Sequence, residues 1–331
     1  MLNVFITVDT EVWPNSPGWP HTPLPADTRC EREVSAYFHG GDKRTGFGLP
    51  YQLRIFRQWR LKATYFVDPL FSFALGTESL RDVLQMISSH EQEVGLHLHP
   101  EWLTDPRCAG LPVFKGPLLH QYSEDDQAKL IDAGITRLRE LGAPVIRCFR
   151  AGSWGADCST LRALSRAGIT VDSSLNAVFS ASFPDFSERD NLRHPARHEG
   201  IWEFPVTNFV DRPPSGRRPL HVCACSLDEF RAVLEQGESA GWSSVVMVLH
   251  GFEFVRVDRI ASGHLRPQRL LATRFERLCA YLAANTDRFQ TCHFSDLDLN
   301  AMGEANPARP LSSSRLRTLR RYAEQAVSRI Y

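Results

Sequence analysis

Residues 3–11 read Asn-Val-Phe-Ile-Thr-Val-Asp-Thr-Glu. Side chains along a β-strand point alternately to the two faces of a sheet. This alternation sends the aliphatic residues to one face and Thr7, Asp9 and Glu11 to the other. The stretch predicts a first strand, Asn3–Asp9, with two acids side by side at its C-terminal end. It is not typical of a signal peptide, because its apolar part is short and no basic leader precedes it.

Similar strand segments recur along the chain and alternate with segments of helical periodicity. Further strands are predicted at Ala63–Val67, Glu93–His99, Val145–Arg150, Gly168–Asp172, Ile201–Val206, Ser244–His250 and Phe289–Phe294. Helices are predicted at Pro50–Arg60, Thr77–Ser89, Glu124–Leu141, Cys158–Ala167, Leu227–Ala240 and Pro267–Ala284, with N-terminal caps at Ser123, Asp157 and Ser226. This alternation is typical of an α/β protein with a mostly parallel sheet, closed here as a barrel.

The barrel is expected to span residues 1–300 as one large domain, although a length of 331 residues first suggests two. Long loops, at Val12–Gly48, Leu103–Tyr122 and Ser173–Gly200, follow strands and would lie on the face where barrel active sites are built. Residues 301–331 are expected to form a linker and a basic amphipathic helix. This helix is expected to pack on the barrel, with peripheral membrane contact as the alternative.

The composition excludes several classes of function. The chain has 38 basic and 38 acidic residues, so its net charge of zero gives no field to attract nucleic acid. No apolar run approaches the ~20 residues of a membrane span. The 8 cysteines are scattered, which favours reduced thiols and a cytoplasmic protein over a disulfide scaffold.

A pair of histidines lies on the predicted third strand, in the sequence Glu-Val-Gly-Leu-His-Leu-His-Pro-Glu-Trp of residues 93–102. The strand period places His97 and His99 on one face, so both imidazoles can reach one ion. With a carboxylate from another strand, such a pair is a common way to hold a divalent metal. Glu101 continues the register as a further ligand or a partner of a ligand.

Two more strand ends carry candidate residues. Arg150 ends one predicted strand and could orient a carboxylate. His250 ends an almost wholly apolar strand, where it is well placed to donate a proton. Both residues also have ordinary structural explanations, a salt bridge for the arginine and a loop cap for the histidine. A competing zinc site is conceivable at His221, Cys223 and Cys225, which alternate along a short stretch.

The ordered combination of these motifs resembles the polysaccharide deacetylase superfamily, also called the NodB-homology family or carbohydrate esterase family 4. The motifs are Phe-Ile-Thr-Val-Asp-Thr-Glu at 5–11, Ala-Thr-Tyr-Phe-Val at 63–67, His-Glu-Gln-Glu-Val-Gly-Leu-His-Leu-His-Pro at 90–100, Phe-Arg-Ala-Gly at 149–152, Gly-Ile-Thr-Val-Asp-Ser-Ser at 168–174 and Leu-His at 249–250. The Asp-Thr-Glu and His-Leu-His-Pro motifs resemble the WalW-like subgroup, which is associated with lipopolysaccharide biosynthesis.

The resemblance implies a distorted (β/α) barrel of seven or eight strands. It also implies removal of acetyl groups from N-acetylated sugars with zinc or another divalent metal. Asp9 would be the general base, with Arg150 orienting it. His250 would be the general acid. Glu11 and His97 would be metal ligands.

The sequence departs from the family pattern at two points. The usual adjacent pair of aspartates is here Asp-x-Glu, so either Asp9 or Glu11 could be the metal ligand. The usual His-x-x-x-His would place its second histidine at Glu101, so the second nitrogen ligand comes from His99 or the site is altered.

These observations together predict a cytoplasmic, metal-dependent deacetylase that acts on an N-acetylated sugar of a glycan or glycan precursor, with zinc as the first choice of metal. Trp13, Trp102 and Trp154 lie in or beside the predicted mouth loops and are candidates for stacking on the sugar. Two alternatives remain at this stage. One is another hydrolase of carbon–nitrogen bonds, such as a deformylase or cyclic-amide hydrolase. The other is a carbohydrate-binding or assembly protein whose catalytic site has decayed.

Overall fold

The computed structural model describes residues 1–14, 18–22, 34, 37–40, 46–187, 190–212, 216–257, 265–303 and 309–330, without the side chains of 256, 257, 265 and 327–330. The strands are β1 (Leu2–Thr10), β2 (Ala63–Val67), β3 (Glu93–Leu98), β4 (Cys148–Ala151), β5 (Val171–Asp172), β6 (Ala196–His198), β7 (Ile201–Glu203), β8 (Asn208–Arg212), β9 (Gly216–Pro219), β10 (Ser244–His250), β11 (Val255–Val257), β12 (Leu265–Pro267), β13 (Phe289–Thr291) and β14 (Leu311–Ser312). The α-helices are α1 (Leu49–Trp59), α2 (Phe71–Leu75), α3 (Glu78–Ser89), α4 (Glu124–Glu140), α5 (Cys158–Arg166), α6 (Leu227–Ser239), α7 (Arg269–Ala283) and α8 (Arg315–Ile330).

A nine-stranded sheet forms the centre of the fold, in the order β10-β1-β2-β3-β4-β5-β7-β6, with β13 also paired to β1. Its strand pairs in the described part of the chain are parallel except β6 with β7. Beyond β7, the backbone N–H of Thr207 donates to the oxygen of Val246 on β10, over 3.1 Å. The hydroxyl of Thr207 accepts from the N–H of Val246, over 3.0 Å. The predicted α/β barrel is confirmed. It is distorted because no continuous strand pairing joins β10 to the β7 side of the described sheet, and the hydrogen bonds between Thr207 and Val246 connect them instead.

The side chains of β1 face a different environment on each side of the sheet. Its aliphatic face packs into the large core shared with the helices. On the other face Phe5 stacks on Phe294, with 4.5 Å between ring centroids, in an aromatic cluster inside the barrel. Because alternate residues share a face, Thr7, Asp9 and Glu11 continue from Phe5 toward the C-terminal end of the strand. The barrel interior is therefore apolar at its base and polar at its mouth.

The predicted helix caps are confirmed. The side chains of Ser123, Asp157 and Ser226 each accept a hydrogen bond from the backbone N–H three residues further on. Each cap satisfies one of the N–H groups that a helix start leaves without an intrahelical partner. These hydrogen bonds fix where α4, α5 and α6 leave the preceding loops.

Some elements differ from the prediction. β4 begins at Cys148, because Val145 lies outside the sheet and is 66% exposed. β7 lies within the predicted strand Ile201–Val206, but its antiparallel partner β6 and the small sheet of β14, β8 and β9 were not predicted. The sequence of β9 is Gly-Arg-Arg-Pro, which has no strand-like alternation of apolar and polar residues. These short strands form through tertiary pairing, which local sequence patterns do not encode.

Buried salt bridges hold the C-terminal helix α8 against the rest of the chain. Arg321 has no accessible surface, and its guanidinium donates to Asp211 Oδ2 over 2.9 Å and to Glu229 Oε1 over 3.0 Å. Leu316 and Leu319 on the same helix are 58% and 63% exposed. The helix packs against the rest of the chain, as expected, and still presents an apolar surface to solvent. The side chains from 327 onward lie outside the described residues, and a boundary at residue 300 stays a prediction.

The described helices offer no candidate for a membrane span, since none combines sufficient length with sufficient apolar character.

Replacing Arg321 with Met should strongly destabilise the protein. The substitution leaves the buried Glu229 carboxylate without its cation, while Asp211 keeps its salt bridge with Arg218. Breaking a buried pair by removing one partner typically costs about 3–5 kcal/mol. The matched control is Arg320→Met, whose guanidinium lies 3.5 Å from Asp228 with both side chains largely exposed. An exposed pair of this kind contributes at most about 1 kcal/mol. Urea unfolding of both variants measures the difference, and equal midpoints would contradict this account of α8.

Candidate active site

The predicted site residues lie where neighbouring parallel strands end. Asp9 of β1 is in register with His250 of β10, and His97 of β3 is in register with Arg150 of β4. The C-terminal ends of parallel strands share one edge, which is the usual place for a site in this kind of fold. A cavity of about 250 Å³ opens there, lined by Asp9, Glu11, Trp13, His97, His99, Ala151, Ser153, Trp154, Phe179 and His250.

Glu11 and the two histidines form a buried cluster at this cavity. His97 Nε2 lies 3.0 Å from Glu11 Oε2, and His99 Nε2 lies 2.5 Å from the same oxygen. None of the three residues is more than 6% exposed. The ligand atoms that they offer all lie within 4.8 Å of one another. One carboxylate and two imidazoles are a donor set typical of a divalent metal site.

The far nitrogen of each imidazole has a partner in the protein. His97 Nδ1 lies 2.6 Å from the backbone oxygen of Arg150, which can only accept, so Nδ1 carries the proton and Nε2 is free to ligate. His99 Nδ1 lies 3.2 Å from Glu101 Oε2. His99 Nε2 is buried and faces Glu11 Oε2. A buried nitrogen that faces a carboxylate oxygen fits a group that ligates a cation.

The charges in the cluster balance each other. Burial alone would raise the pKa of Glu11, but the charge of His99 and hydrogen bonds with His97 and His99 hold it well below its usual range. Burial would lower the pKa of His99, but the negative charges of Glu11 and Glu101 raise it well above its usual value. In the protein alone, a proton on His99 compensates the Glu11 carboxylate, and a bound cation would replace that proton.

Asp9 is held by the buried guanidinium of Arg150. Nη1 of Arg150 donates to Asp9 Oδ1 over 2.8 Å and to Thr7 Oγ1 over 2.7 Å. Its Nε and Nη2 donate to the backbone oxygen and the hydroxyl of Ser173, each over 2.9 Å. Arg150 has no accessible surface, whereas Asp9 lines the cavity. The contact therefore fixes the orientation of the Asp9 carboxylate from behind.

His250 lies on the other side of Glu11 and is supported by Glu253. Its Nδ1 donates to Glu253 Oε1 over 2.8 Å, and its Nε2 is 3.7 Å from Glu11 Oε1. Burial would lower the pKa of His250, but the hydrogen bond to Glu253 and the charges of Glu11, Glu253 and Asp9 raise it to about 9. His250 is therefore protonated near neutral pH, with Nε2 toward the cavity. Glu253 also hydrogen-bonds His221 through the same oxygen.

Aromatic side chains flank the cavity. Trp13 Nε1 donates to Glu11 Oε1 over 2.7 Å, so this ring is attached to the cluster itself. Trp154 stacks with Phe179, with 6.1 Å between centroids and 28° between planes. Ser153 and Trp154 have φ values of 51° and 60°, in the left-handed region that non-glycine residues rarely adopt. Strained backbone of this kind is concentrated at functional sites.

Trp102 differs from the other two tryptophans that were predicted to contact a sugar. It has no accessible surface and packs against Trp19 and Phe71, with centroid distances of 5.3 and 6.2 Å. It is absent from the cavity lining. A side chain without accessible surface cannot stack on a ligand, so the expectation for Trp102 is corrected to a packing role.

Two acids near the site were not predicted as site residues. Glu253 follows His250 by three positions, and a turn brings its carboxylate back to the imidazole. Asp68 directly follows β2, and its Oδ2 is buried with no hydrogen-bond partner among the described residues. Burial is the main reason that the pKa of Asp68 rises to about 7. An acid immediately after a parallel strand is the signal that could have identified Asp68.

The competing zinc candidate is also corrected. Cys225 is fully buried, and its thiol donates to the backbone oxygen of Pro219 over 3.3 Å. His221 and Cys223 instead converge with Glu253. Residues 221–225 form a tight turn rather than a strand, which is why the alternation predicted from the sequence fails there.

Solved structures of other proteins share the fold of this chain. No protein-family model matches the chain, and no curated protein matches it in sequence. Among solved structures, the "putative polysaccharide deacetylase from Mycobacterium smegmatis" matches with a TM-score of 0.57 and 20% identity over 93% of this chain and 94% of that one. A 4-alpha-glucanotransferase from Thermococcus litoralis matches with a TM-score of 0.50 and 13% identity over 93% of this chain and 41% of that one.

A family 4 carbohydrate esterase from Streptomyces lividans, solved with acetate, has a TM-score of 0.41 and 11% identity over 88% of this chain and 91% of that one. An identity this low shows the fold alone, and the reaction has to be argued from the site. The match to the Mycobacterium smegmatis structure shows that this chain shares the fold of that protein, a distorted (β/α) barrel.

Proposed function

We propose that this protein is a metal-dependent hydrolase that removes the acetyl group from the amide nitrogen of a sugar. The observation that carries the proposal is the meeting of three functional groups at one cavity of about 250 Å³. These are the cluster of Glu11, His97 and His99, the Asp9 carboxylate in contact with Arg150, and the protonated His250. Amide hydrolysis needs an electrophile for the carbonyl oxygen, a base for the water and an acid for the leaving amine.

Glu11, His97 and His99 are the proposed metal ligands. Two imidazoles and one carboxylate suit zinc and leave open positions for water and substrate. A divalent cation held there would supply the Lewis acid that polarises the acetamide carbonyl. The buried Nε2 of His99, which faces Glu11, and the proton fixed on His97 Nδ1 support this assignment. Glu11, rather than Asp9, is the carboxylate ligand because it is the acid in contact with both imidazoles.

Asp9 is the proposed general base. Its carboxylate faces the cavity, and Arg150 occupies one of its oxygens, so the other oxygen can take a proton from water. Arg150 itself is buried behind Asp9 and positions it without reaching the cavity.

His250 is the proposed general acid. Its Nε2 faces the cavity and its Nδ1–H is committed to Glu253, so the proton available for a leaving amine is the one on Nε2. The raised pKa keeps that proton in place until the amine needs it. The two proton-transfer residues come from adjacent strands, where Asp9 is in register with His250, and both line the cavity beside the Glu11 cluster.

The proposed substrate is an N-acetylated sugar of a glycan or glycan precursor. Trp13, Trp154 and Phe179 line the cavity, and aromatic rings of this kind can pack against the apolar face of a sugar. The resemblance to the WalW-like subgroup supports a lipopolysaccharide precursor. The described cysteines are free thiols, which fits a reducing compartment such as the cytoplasm.

Replacing His97 with Gln should abolish both metal binding and activity. We expect the H97Q protein to retain no stoichiometric zinc after dialysis. We also expect it to release acetate from N-acetylglucosamine oligomers at less than about one hundredth of the wild-type rate. The control is His90→Gln, at the end of α3, where Nδ1 contacts only nearby backbone and side-chain atoms of that helix. Full activity of H97Q would refute the proposed reaction, and so would release of formate from an N-formylated sugar by a wild-type protein that releases no acetate from the N-acetylated one.

Separate substitutions of Asp9 and Glu11 should distinguish the roles of the two carboxylates. Asp9→Asn should retain zinc and lower turnover by roughly 10²–10⁴-fold, the range for loss of a general base. Glu11→Gln should release zinc as well as lose activity, because it removes a ligand. Metal analysis beside acetate release measures both properties. If D9N lost zinc while E11Q kept it, the two roles would have to be exchanged.

Replacing His250 with Gln should lower turnover by roughly 10²–10⁴-fold while zinc stays bound. The acid must be protonated, so the wild-type rate should fall as the pH rises through the pKa of His250. That pKa is about 9 without a cation, and a cation that offsets the charge of Glu11 would lower it. The pH–rate profile of H250Q should lack this alkaline fall. An unchanged profile would exclude His250 as the acid.

A further inference from the structure

A second group of metal-ligating side chains lies beside the first. His221 precedes α6, and its Nε2 contacts Glu253 Oε1. The nitrogen of His221, the sulfur of Cys223 and a carboxylate oxygen of Glu253 all lie within 4.8 Å of one another. Together they offer one nitrogen, one sulfur and one oxygen. None of the three belongs to the cluster of Glu11, His97 and His99.

We propose that His221, Cys223 and Glu253 bind a second divalent cation, of the soft type represented by zinc. Zinc accepts nitrogen, sulfur and oxygen donors of these kinds and commonly takes a water molecule as its fourth ligand. Thiolate favours zinc over magnesium or calcium, which prefer oxygen ligands. On binding, the cation takes the place of the proton between His221 and Glu253 and of the thiol proton of Cys223, and both protons pass to solvent.

Two further observations support the proposal, the burial of Glu253 and the exposure of Cys223. Glu253 is only 8% exposed, and its Oε2 is buried without a hydrogen-bond partner among the described nitrogen and oxygen atoms. The Cys223 thiol hydrogen-bonds this carboxylate. A thiol is a weak donor, so a cation would be a stronger partner for a buried carboxylate oxygen. Cys223 is exposed, so a cation can reach the group from solvent and keep a water ligand. The three residues of the first cluster, in contrast, are all buried and reach solvent only through the cavity that they line.

The second site would act on the first through Glu253. The carboxylate that would bind the cation is the one that accepts the Nδ1–H of His250, over 2.8 Å. The rings of His221 and His250 are 5.1 Å apart, between centroids. A cation on Glu253 would compete for the lone pairs that hold His250. This consequence rests on the proposed function of His250, and it makes excess zinc an inhibitor.

Cobalt titration of the full-length protein tests the site itself. Co²⁺ serves as the probe because a cobalt–thiolate bond gives a charge-transfer absorption that nitrogen and oxygen ligands do not give. We expect two bound equivalents and this absorption in the wild-type protein. In Cys223→Ser the absorption should disappear, and the second equivalent should bind at least roughly tenfold more weakly. The matched control Cys158→Ser, at the start of α5, should leave both unchanged.

The cobalt titration tests the second site separately from the proposed function of the first. H97Q should keep the thiolate absorption while it loses the other equivalent, so failure of the first site would leave the second one detectable. Absence of the absorption in the wild type, or its persistence in C223S, would overturn the second site.

Zinc titration of acetate release tests the inhibitory consequence. The wild-type rate should rise with the first equivalent and fall at least roughly twofold with excess zinc, whereas C223S should reach the same maximum and stay there. If both proteins were equally inhibited, the coupling through Glu253 would be refuted, although the cobalt result would still stand on its own.

Discussion

The arrangement of the mouth depends on one buried positive charge, that of Arg150. A guanidinium without accessible surface is costly unless its donors and its charge are matched, and here Thr7, Asp9 and Ser173 accept from it. It also lies 4.4 Å from the centroid of Phe66, over the aromatic base of the barrel. Because its backbone oxygen accepts from His97, the same residue fixes the Asp9 carboxylate and orients one imidazole of the cluster. The proposed base and the proposed metal ligands are thus placed relative to each other through one residue of β4.

Much of the fold could be predicted from the sequence because the central strands and their helices have strong local signals. β2 and β10 have the predicted limits, and β1 extends the predicted strand by one residue at each end, since these strands are apolar and bounded by polar residues or turns. The caps at Ser123, Asp157 and Ser226 fixed three helix starts in the same way. The strands that were not predicted are short and pair with segments distant in sequence, as in the sheet of β14, β8 and β9. Hydrogen bonding to a distant segment leaves no periodic trace in a strand of two to five residues.

The site was predictable where side-chain period and strand position act together. Alternation placed Asp9 and Glu11 on one face, and His97 and His99 do reach the same oxygen of Glu11. Burial was the property that the sequence did not reveal. Trp102 looks like a mouth residue by position, but the turn after β3 directs it into the core. Glu253 and Asp68 were missed because their importance arises from a turn and from a neighbouring strand, not from a pattern around them.

The altered histidine spacing does not by itself indicate a decayed site. On an extended strand, residues two apart share a face, so His-x-His brings two imidazoles to Glu11 without a helical turn. Glu101 then lies in the 3-10 turn Pro100–Thr104, where its carboxylate approaches Nδ1 of His99. A carboxylate at that nitrogen orients the ring and increases the basicity of the opposite nitrogen, which strengthens it as a ligand. The residue that stands where a second histidine is usual therefore supports the histidine that replaces it. Its negative charge also adds to that of Glu11, which favours a divalent cation at the cluster over a single proton.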